Sequence, residues 1–266
     1  VPKNLALVSA SLSLSALFAA SLVAQASHRP PVSVSPRIYV WAWERDEDLS
    51  YIDPSKIAVA YFAGNIYVQG SNVRFRPRTQ KLKLPVSART IPVFRIESVR
   101  SGKSPPDVSA AAFVAKTIAA HIEKKAPAEM IQIDFDALAD ERGFYKALLS
   151  ELRNSLPGDV KISITALASW LLSDKWLEPG SADETVAMLF SIGPGRNEVL
   201  SRIKKQPLNT GADIPVAIGI SASEGYTNKI LFQTAVQKRS DSLYIFSSRP
   251  WTEQRLRAIT KEALAR

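Results

Sequence analysis

A chain of 266 residues, 46% of them hydrophobic and 22% charged, has an ordinary globular composition and material for one large domain or two small ones. It contains no cysteine, which excludes disulfides, thiolate metal sites, a cysteine nucleophile and a lipid-modified cysteine. The formal charge of +9 is spread over separate segments, whereas a nucleic-acid binder concentrates charge beside a recognisable motif, so no nucleic-acid partner is expected.

At the start, Lys3 is the only charge before His28, and Leu5 to Val23 is an apolar stretch thinned by serines. Ala24-Gln25-Ala26 then supplies small residues at the spacing that signal peptidase reads. Residues 1–26 are expected to be a cleaved signal peptide, 27–36 a Pro-containing linker, and 37–266 a single domain, periplasmic or secreted. The alternative is a spanning helix, since about 20 residues cross a bilayer. The serines each weaken insertion, which argues against a stable membrane anchor.

Eight segments after the linker are rich in β-branched and aromatic residues: 38–43, 57–62, 91–96, 130–136, 160–167, 186–192, 214–220 and 243–246. Most are short, near-continuous apolar runs, as expected of strands buried on both faces. Between them, helices are predicted over 107–124, with Asp107 as N-cap and Ala111, Val114, Ala115, Ile118 and Ile122 on one stripe, and over 141–155, 197–205, 227–238 and 252–265. Alternating strands and helices point to an α/β fold with a parallel sheet, and eight strands fit a (β/α)8 TIM-type barrel. A doubly wound open sheet is the alternative, but no Gly-rich phosphate loop follows the first strand.

Between the second and third strands the pattern departs from the barrel repeat. Residues 63–89 read as a hairpin, Ile66-Tyr67-Val68 and then Val73-Arg74-Phe75-Arg76, so a modified barrel with an antiparallel excursion is expected there. The basic run from Arg74 to Lys83 alternates with Phe75, Pro77 and Leu82, which gives that hairpin one solvated basic face. A preference for anionic glycans or membrane surfaces is compatible with it.

The chemistry is concentrated in Met130–Ala137, Met-Ile-Gln-Ile-Asp-Phe-Asp-Ala. Side chains alternate across a strand, so Gln132, Asp134 and Asp136 share one face. A row ending in two carboxylates needs partners, solvent or a ligand. The same alternation puts Arg95 and Glu97 on one face of the third strand, and Tyr39, Trp41 and Trp43 on one face of the first. The C-terminal mouth of a barrel would gather Trp41, Trp43, Arg95, Glu97, Asp134 and Asp136, with Glu224, Trp170 and Trp251 on nearby loops.

Paired carboxylates flanked by tryptophans are the equipment of glycoside hydrolysis: one carboxyl protonates the leaving oxygen, and the other attacks or activates water. Asp136, with Glu97 or Glu224 as partner, is the expected catalytic carboxylate, and Asp134 and Arg95 orient and tune it. Trp41, Trp43, Trp170 and Trp251 are the expected sugar-stacking residues, for a polysaccharide or oligosaccharide partner. The same charges also suit an internal ion-pair network, Arg95 with Asp134 and Glu97, that seals the barrel. No metal and no cofactor are expected: His28 lies in the linker, His121 has no partner at ligand spacing, and Gly193-Pro194-Gly195-Arg196 is too short for a phosphate loop.

Trp41-Ala-Trp-Glu, Ile131–Ala137, the spacing Phe144-Tyr145, Leu148-Leu149, Leu152-Arg153, Leu156-Pro157, and Ile162–Trp170 together resemble domain of unknown function 3142, a group of exported bacterial proteins. The Asp-x-Asp on the fourth strand is also similar to barrel glycosidases of the chitinase-like group. That group's pattern has a catalytic Glu two residues beyond the second Asp, where this chain has Leu138. The resemblance implies an exported barrel with a sugar-type cleft, and it departs from substrate-assisted chitinase chemistry at that position.

Overall fold

The computed structural model describes residues 38–100, 104–125, 128–205, 208–225 and 242–264. The expected signal peptide, the linker and the helix predicted over 227–238 lie outside them. Eleven strands are found among the described residues: β1 Ile38–Ala42, β2 Glu47–Asp48, β3 Ile57–Gln69, β4 Asn72–Pro77, β5 Leu82–Lys83, β6 Thr90–Ser98, β7 Met130–Asp134, β8 Lys161–Leu167, β9 Glu184–Met188, β10 Val216–Ser221 and β11 Leu243–Phe246. The helices are α1 Ala110–Lys125, α2 Arg142–Ser155, α3 Arg196–Lys205 and α4 Glu253–Leu264, and a π-helical turn spans Trp170–Asp174.

Eight of the strands, β1, β3, β6, β7, β8, β9, β10 and β11, pair in parallel, each with the next, and β1 pairs with both β3 and β11, so the sheet closes on itself. Alternation along each strand creates two cores. Tyr39, Trp41, Ala58, Ala60, Val93, Val186, Ala217 and Tyr244 fill the barrel interior. Ile38, Val40, Val59, Phe94, Ile131, Ile133, Ile162 and Ile164 face outward beneath the helices. Small residues on some strands leave room for aromatic rings from others: an added Cβ at Gly219 would lie 3.1 Å from Trp41 Cη2.

The expected α1 stripe is buried, but the helix starts at Ala110, not at the proposed cap. Asp107 caps the preceding turn instead, its carboxylate accepting the Ser109 N–H at 2.9 Å. The sixth barrel strand runs from Glu184 to Met188, two residues earlier than its apolar run suggests. The chain leaves the ladder after Met188 and turns at Ser191, whose φ of 54° is left-handed.

The first two connections of the barrel carry no helix among the described residues. β3 is thirteen residues long, its last pairing with β1 is at Tyr61, and from Gly64 onward it takes β4 as an antiparallel neighbour. A bulge between Phe62 and Gly64 marks the change. The hairpin therefore continues the sheet β4–β3–β6 above the barrel rim as a wall. Its outer side, with Phe75 against Phe94 and His121, packs toward α1. Arg78 ties the wall down by donating to the backbone oxygens of Trp43, Arg45 and Gln80.

Gly64 is required where the strand changes neighbours. A Cβ there would sit 2.5 Å from the Arg76 carbonyl oxygen, 2.6 Å from the Phe75 ring and 2.9 Å from Pro77 Cα, two of which are backbone. Gly64→Ala is expected to destabilise by about 2–3 kcal/mol through overpacking. Limited proteolysis should show cleavage concentrated in residues 64–78; an unchanged digestion pattern would contradict the packing argument.

Candidate active site

The inward faces of the strands converge on a pocket at the C-terminal mouth with a volume of about 170 Å³, lined by Trp41, Trp43, Arg95, Asp134, Asp136, Thr165, Met188, Phe190 and Phe246. Below it, a chain of hydrogen bonds crosses the barrel. Trp41 Nε1 donates to Gln132 Oε1 at 2.7 Å, and Gln132 Nε2 donates to Ser163 Oγ at 3.1 Å. Ser163 and Tyr244 then donate to Glu184 Oε1 at 2.8 and 2.7 Å. Each buried polar group of that chain is satisfied by the next. The result is a rigid floor.

Asp134 closes β7 and is 8% exposed. Thr165 Oγ1 donates to its Oδ1 at 2.8 Å, and Arg95 Nη1 stands 3.9 Å from its Oδ2. Burial, with the neighbouring Asp136 charge, pushes its carboxyl up to about 6; the Thr165 hydrogen bond and Arg95 oppose the rise without cancelling it. Asp136 is exposed to solvent, although the walls of the mouth crowd its carboxyl and raise its pKa, with Arg95 acting in the opposite direction. Among the described residues its carboxylate makes neither a hydrogen bond nor an ion pair, so it is available to a ligand.

Arg95 also pairs with Glu97, Nε to Oε1 at 3.4 Å, and its guanidinium lies 5.9 Å from the Trp43 ring centre. The ion-pair network anticipated from sequence thus exists, but it is loose and leaves Asp136 outside it. Trp43 is half-buried at the rim, between Phe62 and Phe246, and Phe246 stacks on Phe190 with ring centres 5.4 Å apart. Trp43, Phe190 and Phe246 form an apolar bank of the pocket that holds the carboxylates.

Of the other expected residues, Trp41 lines the pocket from below, and Trp170, Trp251 and Glu224 lie outside it. Trp41 is only 3% exposed and serves as floor, not as an open stacking face. Trp170 lies in the outer core against Tyr145 and Trp176. Trp251 is buried at the side of the barrel, its ring nitrogen bonded to the Trp41 carbonyl and its backbone N–H to Glu47. Glu224 accepts the Ser191 N–H at 2.9 Å and pairs with Arg196 at 3.2 Å, fastening two loops together. Glu97 flanks the pocket through Arg95. Thr165, which alternation aligns with Ser163 on the fifth barrel strand, lines the pocket, and so do Met188, Phe190 and Phe246, which the sequence pattern had not marked out. The signal for them was the same alternation, carried through Ser163-Thr165, Val186-Met188-Phe190 and Tyr244-Phe246. Among the described residues no cluster of His, Asp or Glu is arranged to hold a metal ion.

No family model matches the chain, and no curated protein matches it. Among solved structures it is similar to a structure of GH113 beta-1,4-mannanase, with a TM-score of 0.55 and 10% identity, covering 87% of this chain and 99% of that one. A complex structure of GH113 beta-1,4-mannanase matches with a TM-score of 0.51 and 8% identity, again covering 87% of this chain and 99% of that one. The shared feature is the barrel. The chain folds as the (β/α)8 barrel of these glycoside hydrolases, with the hairpin wall as its modification.

Proposed function

We propose that this chain is an exported glycoside-hydrolase-like barrel that cleaves a polysaccharide with Asp136 and Asp134. The observation that carries the reading is the carboxylate pair itself: one buried and held near neutrality, the other open and unpaired, in a pocket whose far bank is aromatic. Asp136 is the group that touches the glycosidic oxygen. Asp134, fixed by Thr165, shares one proton with Asp136: the pair gives that proton to the glycosidic oxygen as the C–O bond breaks, and takes one back from the water that adds to the anomeric carbon. Apolar sugar faces rest on Trp43 and Phe246, and Arg95 bonds hydroxyls. The barrel likeness to mannanases and the motif likeness to domain of unknown function 3142 support a sugar-type cleft; residues 1–26 support export.

Release of reducing sugar from a panel of neutral and acidic polysaccharides tests this. Asp136→Asn should lower the rate on a responsive glycan by about 10²–10⁴-fold, the usual contribution of an acid–base group. The pair must hold a proton to act as an acid, and Asp134 loses its proton near pH 6, so activity should fall as pH rises through about 6. Full activity in Asp136→Asn would remove the assignment. Export is checked by intact mass, which should correspond to cleavage before Ser27.

A second reading has its own observation. Leu138, where the chitinase-like pattern has its Glu, is 54% exposed at the mouth and supplies no carboxylate. A non-catalytic glycan-binding or envelope-assembly protein of the same fold would show glycan binding that survives Asp136→Asn and is lost on altering Trp43.

A further inference from the structure

The ladder above the rim brings together residues that are far apart in sequence. Register pairs Arg76 with Asn65, Asn65 with Arg95, and Arg95 with Asp134, which makes one continuous cross-strand row from β4 to β7. The next row pairs Arg74 with Tyr67 and Tyr67 with Glu97. Directly opposed residues point to the same face of a sheet. Arg95 and Asp134 line the pocket, so the rest of both rows faces the same cleft. From β7 to β4 is three strand spacings, about 14 Å, a length that a short oligosaccharide spans.

Charge is graded along this wall. Near the carboxylates, Arg95 is held by Glu97 and Asp134. At the far end Arg76 pairs with Glu44, while Arg74 makes no ion pair among the described residues. Its guanidinium lies 4.8 Å from the Tyr67 ring centre. Tyr67 is thereby held as a half-buried ring with a cation above it, beside Asn65, which donates to its hydroxyl at 3.2 Å. Asn65 Oδ1 is buried and without a hydrogen-bond partner on this face. A basic edge strand deters pairing with other chains, and that alone would explain isolated arginines. It does not explain an arginine seated over a tyrosine in register with Glu97, one row above the Arg76–Asn65–Arg95–Asp134 row.

We propose that the inner face of the β3–β4 hairpin is a distal subsite for an acidic sugar, a uronate whose carboxylate meets Arg74 and Arg76 beside Tyr67. The inference rests on the glycan-cleft reading and adds the substrate class: a polymer with a carboxylate-bearing unit two or three residues from the bond at Asp136. The anion is read at β4, well away from the negative pair Asp134 and Asp136, so the two charges do not compete.

The test is calorimetric binding of the purified chain to matched tetrasaccharides, each uronate beside its neutral twin: mannuronate with mannose, galacturonate with galactose, glucuronate with glucose. At least one uronate should bind about fivefold more tightly than its twin at low salt, the scale of one exposed ion pair, and lose that margin in high salt. Arg74→Ala should abolish the margin while the neutral twin's affinity stays constant. Arg74 is exposed on the edge strand, so its removal does not threaten folding, and circular dichroism verifies this. Retention of the margin in Arg74→Ala, or no uronate binding better than its twin, overturns the inference while leaving the neutral-glycan reading intact. A sulfated tetrasaccharide binding more tightly than every uronate overturns the carboxylate assignment. Binding of no sugar at all overturns this inference and the glycan reading together.

Discussion

Asp134→Asn is expected to abolish the proposed glycan cleavage and, at neutral pH, to stabilise the protein. The buried carboxyl titrates at about 6 in the folded chain against 3.8 ordinarily. Between those values the folded state keeps a proton that the unfolded state has released, so stability falls as pH climbs from about 4 to about 6 and is flat above. A displacement of about two pH units corresponds to about 3 kcal/mol. Asparagine removes this penalty while its amide oxygen still accepts the Thr165 hydroxyl, and Arg95 retains Glu97. The variant should therefore melt several degrees above the parent at pH 7.5 and close to it at pH 4, with about 2–4 °C for each kcal/mol in a domain of this size. An equal difference at both pH values would show that Asp134 is not held above its ordinary range.

Trp41→Ala is expected to be the most destabilising single change considered. Its ring lies across the barrel over Gly219, contacts Phe190 and Tyr244, and donates to Gln132. Truncation opens a cavity and orphans a buried amide oxygen; losses of about 3–5 kcal/mol are usual for the first effect alone. The midpoint of urea unfolding should fall accordingly. Trp43→Ala, at the half-exposed rim, should change the midpoint far less and glycan affinity more. If the two variants behave alike, the division of labour between floor and rim is wrong.

The parts of this molecule that could be read from sequence are those governed by one strand at a time. Alternation put Gln132, Asp134 and Asp136 on one face and Arg95 with Glu97 on another, and both faces point into the barrel. Residues on loops have no such period. Trp170, Trp251 and Glu224 were expected at the mouth because their strands end there, yet each turns away into packing or a loop-to-loop pair. The hairpin was legible as two short runs, but not as one thirteen-residue strand, because Gly64-Asn65 resembles a turn. The row Arg76–Asn65–Arg95–Asp134 was hidden for a different reason. It depends on register between strands, which packing decides.

The abrupt change of neighbour at Gly64 also bears on how such barrels diversify. β3 finishes its pairing with β1 at Tyr61, before β4 begins, so barrel closure does not depend on anything in the hairpin. Residues 64–78 form a cassette that can be lengthened, shortened or exchanged with related chains while the carboxylates keep their seat. The outer ring of Phe75, which meets Phe94 and His121, is one of its couplings to the barrel, beside the ladder of Gly64–Val68 with β6, the Arg76–Glu44 pair and the Arg78 bonds to Trp43 and Arg45. Grafts that preserve an aromatic residue there would carry the proposed subsite as a module, and variation among barrels that bear such a hairpin should accumulate on its inner face faster than at its root.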